Sequence, residues 1–353
     1  MKKIIRLIIS VLACALITAA FAACGNNGTA GSNESGLVCK KYGDDEFYTV
    51  TRYYEEDGVS TLNVAEAFYN KYGREEKIGL IKKNAFKGNS SIKELIISET
   101  GDFALEIEEG AFAGMKALEK ITLPFVGAFA ESDATIMQTA PAEKKATDKA
   151  RSIGYIFGEE EMDNSSPVTL TYGKDSATFY IPSTLYEITV KASEKGINIP
   201  MYAFCGLKQV SKVNLEGNIL AIGDSAFKDM TKLAKVNIPA SVKVIYDSAF
   251  SGATALKEFG TDFKFNDGSA LEEIKDGAFK GTKIASFTLP ENVKAIGESC
   301  FAENAFLTEF NFNAGIETVG AYAFYNCSKL SSVNGLPNAA VIGVNAFEGT
   351  LAQ

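Results

Sequence analysis

The stretch LAKVNIPASVKVIYDSAFSGATAL, residues 233–256, decides the fold. Its opening alternates: Val236 and Ile238 flank Asn237, and Pro239 follows. This is the pattern of a short strand with one buried face, ended where a missing N–H does no harm. A second apolar pair follows, Val242 and Ile245, and then Ala249-Phe250. The Ala-Phe is expected on a short helical or 3-10 turn with its ring inward. Working outward, the same order recurs along the chain. Its Phe falls at Phe86, Phe112, Phe204, Phe227, Phe250, Phe279, Phe301, Phe324 and Phe347, mostly about 23 residues apart. A unit of that length cannot bury its own apolar face, whereas stacked units bury one another's and build one long core.

The strand signature repeats in ALEKITLP (117–124), KIASFTLP (283–290), FLTEFNFN (306–313) and QVSKVNLE (209–216). Gly223, Gly297, Gly320 and Gly343 follow the later apolar pair, which points to a sharp turn or a close approach to the neighbouring unit. The Ala before each Phe is small because the turn lies against the next coil. Cys300 takes that place in one copy and reads as a small core residue. Cys205, Cys300 and Cys327 occupy different phases of the repeat, so no disulfide is expected there. Cys39 has no evident mate.

These units resemble the BspA-like class of leucine-rich repeats of bacterial surfaces. Residues 233–256 follow that family's Leu-x-x-Ile-x-Leu-Pro-x-x-Leu-x-x-Ile-x-x-x-Ala-Phe order, and the likeness covers about 78–124 and 183–349. The resemblance implies a right-handed parallel solenoid with binding or adhesion roles and brings no catalytic residue. The expected fold is therefore a repeat solenoid of about 23-residue leucine-rich repeats. Short parallel strands form one face and short helical or 3-10 turns the other, with an N-terminal cap and one insertion.

The flanks divide the rest. Residues 1–23 read as a lipoprotein signal peptide, basic and then apolar, ending in small residues before Cys24. Cys24 is the expected lipidation site, although Phe21 stands where a lipobox usually has Leu; plain cleavage and free secretion is the alternative. Residues 24–36 are rich in Gly, Asn and Ser and form a flexible tether. Residues 37–77 are an N-terminal cap, with a strand in EFYTVTRYY and an amphipathic helix ending at Gly73. First repeats occupy 78–124, and C-terminal repeats 183–353. Between them no anchor Phe is found in phase, so 125–182 reads as an insertion. In it a helix is expected from Thr139-Ala140-Pro141, then a hairpin over 168–182 turning at Gly173, Lys174 and Asp175. EFGTDFKFND (258–267) breaks the strand rule and implies a bulging loop.

Chemistry is sparse. The chain has no His, which removes the commonest general base and every Ser-His or Cys-His nucleophile pair. Acidic clusters GDDE (43–46), YYEED (53–57) and GEEEMD (158–163) read as solvated loops. No metal site, cofactor or catalytic residue is expected. A net charge of −9 argues against nucleic acid and against anionic lipid as partners. One column stands out. The residue between the last two apolar positions of each strand is, in order, Ile96, Thr122, Thr189, Asn214, Asn237, Gly260, Thr288, Asn311 and Asn334. Stacked at ~4.8 Å, the Thr and Asn members would face outward as a polar ladder for an extracellular protein or glycan. The membrane is reached through the lipid anchor alone, and the chain is expected on the outer face of a bacterial membrane. The alternatives are an enzyme with its site in 125–180 and a structural envelope protein with no soluble ligand.

Overall fold

Three columns of inward side chains run through the molecule, and the backbone between them pairs coil to coil. The computed structural model describes residues 35–42, 47–73, 77–98, 105–130, 149–172, 174–259 and 268–352. The leader, Cys24, most of the tether, the GDDE cluster, residues 139–148 of the expected helix, Gly173 of the expected hairpin turn and residues 260–267 of the expected bulging loop, Gly260 among them, lie outside the described residues. Each coil contributes a strand, a second shorter strand and a tight turn, and successive coils stack in parallel. The chain is a repeat solenoid.

The first column lies on the strand face. Strands Thr61–Asn63, Glu94–Ile96, Lys120–Leu123, Glu187–Lys191, Lys212–Glu216, Lys235–Asn237 and Glu258–Phe259 form one parallel ladder. Its register aligns Leu62, Leu95, Ile121, Ile188, Val213 and Val236, all buried. A second ladder of Ser286–Thr288, Glu309–Asn311 and Ser332–Asn334 continues the face beyond residues 260–267. The second column is Ile199, Ile222, Ile245, Ile274, Ile296 and Val319, all buried and in register in short strands, with exposed Ile342 at its C-terminal end. Val50, Ile81 and Ile107 hold the same position in the N-terminal coils, at 0 % exposure.

The third column is the ring stack. Phe227–Phe250, Phe250–Phe279, Phe279–Phe301, Phe301–Phe324 and Phe324–Phe347 stack with centroids 4.7–5.6 Å apart and planes within 14°. Such pairs contribute about 0.5–1.5 kcal/mol each beyond burial. The N–H of each Phe donates to the carbonyl of the residue before the next coil's Phe: Phe227 to Ala249, Phe250 to Ala278, Phe279 to Cys300. The turn face is thus a backbone ladder as well.

That turn is not helical, which refines the expectation. In each of the nine described coils that carry a motif Phe, the residues two before and two after it have positive φ. The first position holds Asn84, Gly110, Tyr202, Ser225, Ser248, Gly277, Ser299, Tyr322 and Asn345. The second holds Gly88, Gly114, Gly206, Asp229, Gly252, Gly281, Glu303, Asn326 and Gly349. A left-handed residue on either side of Ala-Phe folds the chain sharply enough to turn the ring inward. A non-Gly residue there costs on the order of 1–2 kcal/mol, which the inter-coil hydrogen bonds offset. The Gly at the start of the turn serves a different need: a Cβ on Gly320 would fall on the carbonyl carbon of Gly297 in the coil beneath.

The N-terminal end is closed by pairing and by a helix. Gly36–Lys40 runs antiparallel on Tyr48–Tyr54, which pairs in parallel with Ile78–Ile81. The helix Val64–Tyr72 starts at Asn63, whose side chain accepts from Glu66 N–H, and ends at left-handed Gly73. The cap also supplies a coil of its own. Tyr53 N–H donates to Ala85 O, and the Tyr53 ring stacks on Phe86 at 5.6 Å, so Tyr53 is the first ring of the column.

The 91 residues between Phe112 and Phe204 correct the expectation of an insertion without an anchor. Phe112 N–H donates to Ile156 O, and Phe157 packs on Phe112 with centroids 6.4 Å apart. Ile156-Phe157 therefore stands where other coils have Ala-Phe. Ile107 N–H bonds Ala128 O, and Ala128 N–H bonds Ala150 O, so these segments continue the second column's side. On the strand face the segment is skipped: Lys120–Leu123 pairs directly with Glu187–Lys191. The helix Gly154–Phe157 precedes a hairpin of Ser165–Tyr172 and Asp175–Pro182. The hairpin buries Val168, Leu170, Phe179 and Ile181 over the turn face, where Phe179 lies against Gly154.

Candidate functional site

The outward positions of the strand ladder are the candidate site. Because inward and outward residues alternate along a strand, the register that buries Val213 and Leu215 turns Lys212 and Asn214 to the outside. The pairing places Asn63, Ile96, Thr122, Thr189, Asn214 and Asn237 in one outward column. Thr288, Asn311 and Asn334 form its continuation on the second ladder. The sequence therefore places all seven Thr and Asn members in two continuous files. Thr288 and Asn334 are exposed, and the other five are half-buried.

The files are partly bonded to themselves. Asn214 Nδ2 donates to Thr189 Oγ1 at 3.1 Å and to Glu187 Oε1 at 3.0 Å. Asn334 Nδ2 donates to Asn311 Oδ1 at 2.8 Å, and Asn311 Nδ2 to Thr288 Oγ1 at 3.4 Å. Asn237 Nδ2 donates to Leu215 O. These bonds fix the amides in orientation, and an array already fixed loses little freedom when a ligand settles on it.

Beside the polar file runs a charged one: Glu94, Lys120, Glu187, Lys212 and Lys235. Glu187 is its centre, 2.6 Å from Lys212 Nζ and 3.9 Å from Lys120 Nζ. Burial pushes its carboxyl up, but the hydrogen bonds from Lys212 and Asn214 and both ammonium charges outweigh that and hold it below the usual range. Lys120 is raised, by Tyr186 first and then by Glu187. Sequence reading missed Glu187. It sits where the chain returns from the hairpin, and nothing local marks it.

The acidic clusters do not converge on a catalytic centre among the described residues. Glu159 pairs with Lys149 at 2.9 Å and Glu160 with Lys87 at 2.6 Å. Glu55 accepts from the N–H and hydroxyl of Ser90. Among the described residues no group of three or more Cys, Asp and Glu is placed to hold a metal ion. Burial pushes the Cys39 and Cys327 thiols up to about 12 and the Cys205 thiol up to about 11, far from the range of a reactive thiolate. Cys300 is fully buried in the Ala place of its coil.

The family model of the BspA type leucine rich repeat region matches residues 67–132, 175–267 and 260–352, in six copies. No curated protein matches the chain. Among solved structures, a T. pallidum leucine-rich repeat protein is 21% identical, with 54% of this chain and 88% of that chain covered and a TM-score of 0.43. A Bacteroides ovatus leucine-rich repeat protein is 15% identical over 91% of this chain and 92% of that one, with a TM-score of 0.35. A leucine rich cell surface protein of Faecalibacterium prausnitzii is 15% identical over 89% and 97%, also at 0.35.

Proposed function

The chain belongs to the BspA-type leucine-rich repeat family, and from that premise we propose that it is a non-enzymatic binding protein of the cell surface. Its ligand is an extracellular protein or glycan, laid along the outward strand face. Thr122, Thr189, Asn214 and Asn237 on the first ladder, and Thr288, Asn311 and Asn334 on the second, make the contacts. The observation that carries this reading is the unbroken register of the polar file beside the charged file. Thr122, Thr189, Asn214 and Asn237 pair coil to coil without a shift. Repeat proteins use such a surface as a rigid platform, and the ligand is chosen by surface substitution without change of fold.

The leader and the Gly- and Asn-rich run after Cys24 support lipid attachment at that Cys, with the solenoid held off the outer face of the membrane. No described helix is long and apolar enough to cross a membrane. The acidic balance speaks against nucleic acid as a partner.

Arrays of matrix proteins and of glycans probed with the chain test the reading. Asn214→Arg with Asn311→Arg should abolish whatever binding the wild type shows, because each Arg covers its neighbours in the file. Retained binding in that variant would place the ligand elsewhere. Metabolic labelling with an alkyne fatty acid, lost in Cys24→Ser, tests the anchor separately.

A further inference from the structure

The hairpin has one free edge, and a groove runs beside it. Strand Asp175–Pro182 faces the coil of Phe157 on its outer side, where Tyr180 N–H donates to Gly158 O. Strand Ser165–Tyr172 faces the following coils on its own outer side and has no further strand beside it among the described residues. The register fixes which groups point there. Ser183 N–H donates to Asn164 O, and Ser166↔Ile181 and Val168↔Phe179 lie two and four residues inward from that pair. Hydrogen-bonded and non-bonded pairs alternate in an antiparallel ladder. Val168 and Leu170 therefore spend their backbone groups on the partner strand. Pro167, Thr169 and Thr171 direct theirs to the edge. Pro167 has no N–H to leave unpaired there, as befits an edge.

The groove measures about 630 Å³, within the range of sites that hold ligands. One wall is formed by Ser166 to Thr169, and the other includes Cys205, Lys208, Gln209, Asp229 and Lys232 on the turns of the next two coils. Lys208 and Lys232 are exposed and outnumber the single Asp229, in a chain whose net charge is −9. Among the described residues no aromatic ring lines the groove on which a sugar could stack.

The geometry points to a peptide-docking site: an extended segment of a partner protein, carrying an acidic side chain, adds as a third strand to the free edge of Ser165–Tyr172 and sets its carboxylate between Lys208 and Lys232. Main-chain bonds to Thr169 and Thr171 supply the affinity, and the two lysines choose the charge. The site is on the turn face and is independent of the strand-face reading above. A second copy of the chain is a poorer occupant. Edge-to-edge pairing of two such strands would bring a donorless Pro167 from each, and both edges lie inside grooves.

Random octapeptides displayed on phage and selected on the full chain provide the test, followed by titration of the enriched sequences as synthetic peptides. The expected peptides alternate β-branched residues with polar ones and carry Asp or Glu, and methylation of alternate amides removes their binding. Thr169→Pro should weaken them about tenfold or more, by deleting the central edge donor. Lys208→Glu with Lys232→Glu, which leaves the hairpin untouched, should weaken acidic peptides by about tenfold and spare neutral controls. The inference is overturned if enriched peptides bind both variants as they bind the wild type. It is equally overturned if no peptide is enriched over the lysine double variant, if only sugars are retained, or if light scattering shows the edge joining two copies.

Discussion

From Phe204 to Phe347 every coil has its ring, and each ring touches the next at 4.7–5.6 Å. From Phe112 to Phe204 one ring, Phe157, serves the whole interval. Yet the coils stay joined there. On the strand face Lys120–Leu123 reaches across to Glu187–Lys191 in perfect parallel register, four pairs long. On the turn face an extra level, Gly154–Phe157, fills the space that this closure leaves. Continuity of the rod thus rests on the backbone ladders, and the rings are the filling. A segment that can return its chain to the strand register is free to depart from the repeat elsewhere, and here it departs as a hairpin laid over the turns.

Removing a ring from each region puts the largest strain on that comparison. Phe250 and Phe157 are both fully buried, so truncation to Ala should cost each about 3–5 kcal/mol in transfer and cavity terms. Phe250 also loses two stacked partners, at 4.7 and 5.2 Å, whereas Phe157 loses one tilted contact at 6.4 Å. Urea unfolding should therefore rank Phe250→Ala below Phe157→Ala by about 1–2 kcal/mol. Equal losses would mean that the irregular region carries as much ring packing as the regular one.

A smaller effect separates backbone fit from side-chain fit in the regular coils. Gly320 has no positive φ and is not there for a turn; its missing Cβ lets its coil lie on Gly297. Gly320→Ala should cost about 1–3 kcal/mol through overpacking. Lys275 occupies the same place one coil before Gly297 and carries a side chain, so Lys275→Ala should be nearly silent. A silent Gly320→Ala would show that the coils can slide apart at no cost, against the claim that their backbones set the spacing.

What the sequence made legible follows the same divide. The outward file of Thr189, Asn214 and Asn237 could be read because alternation about Val213 and Val236 recurs at a constant interval. The hairpin could be read because 168–182 alternates so plainly. Phe157 escaped because Ile156 fills the place of Ala, although its interval of 45 residues to Phe112 is close to two periods of the repeat. Tyr53 escaped because the first ring of the column sits at the end of a strand and is not a Phe. The left-handed residues escaped for an energetic reason. Ser225, Ser248, Tyr202 and Tyr322 do not prefer that conformation, and the neighbouring coil's carbonyls impose it. The groove beside Thr169 depends on where the hairpin docks, which no local pattern encodes.

The smallest predicted effect tests the seam itself. Glu187 is the first residue of the strand that rejoins the ladder, and it holds one lysine from each neighbouring coil: Lys120, on the far side of the skipped segment, and Lys212. Its carboxyl titrates below the usual range, so the pairing contributes stability above the unfolded-state value of about 4.3 and loses it as pH falls through the lower folded value. Both lysines are largely exposed, and the gain at neutral pH should stay within about 1 kcal/mol. Glu187→Gln should lower the urea midpoint at pH 7 by a small amount, and the difference should fade as pH falls through the lowered value of the folded carboxyl. A difference that persists unchanged into acid would assign Glu187 a role through shape alone. The seam would then be held by the main-chain ladder without help from charge.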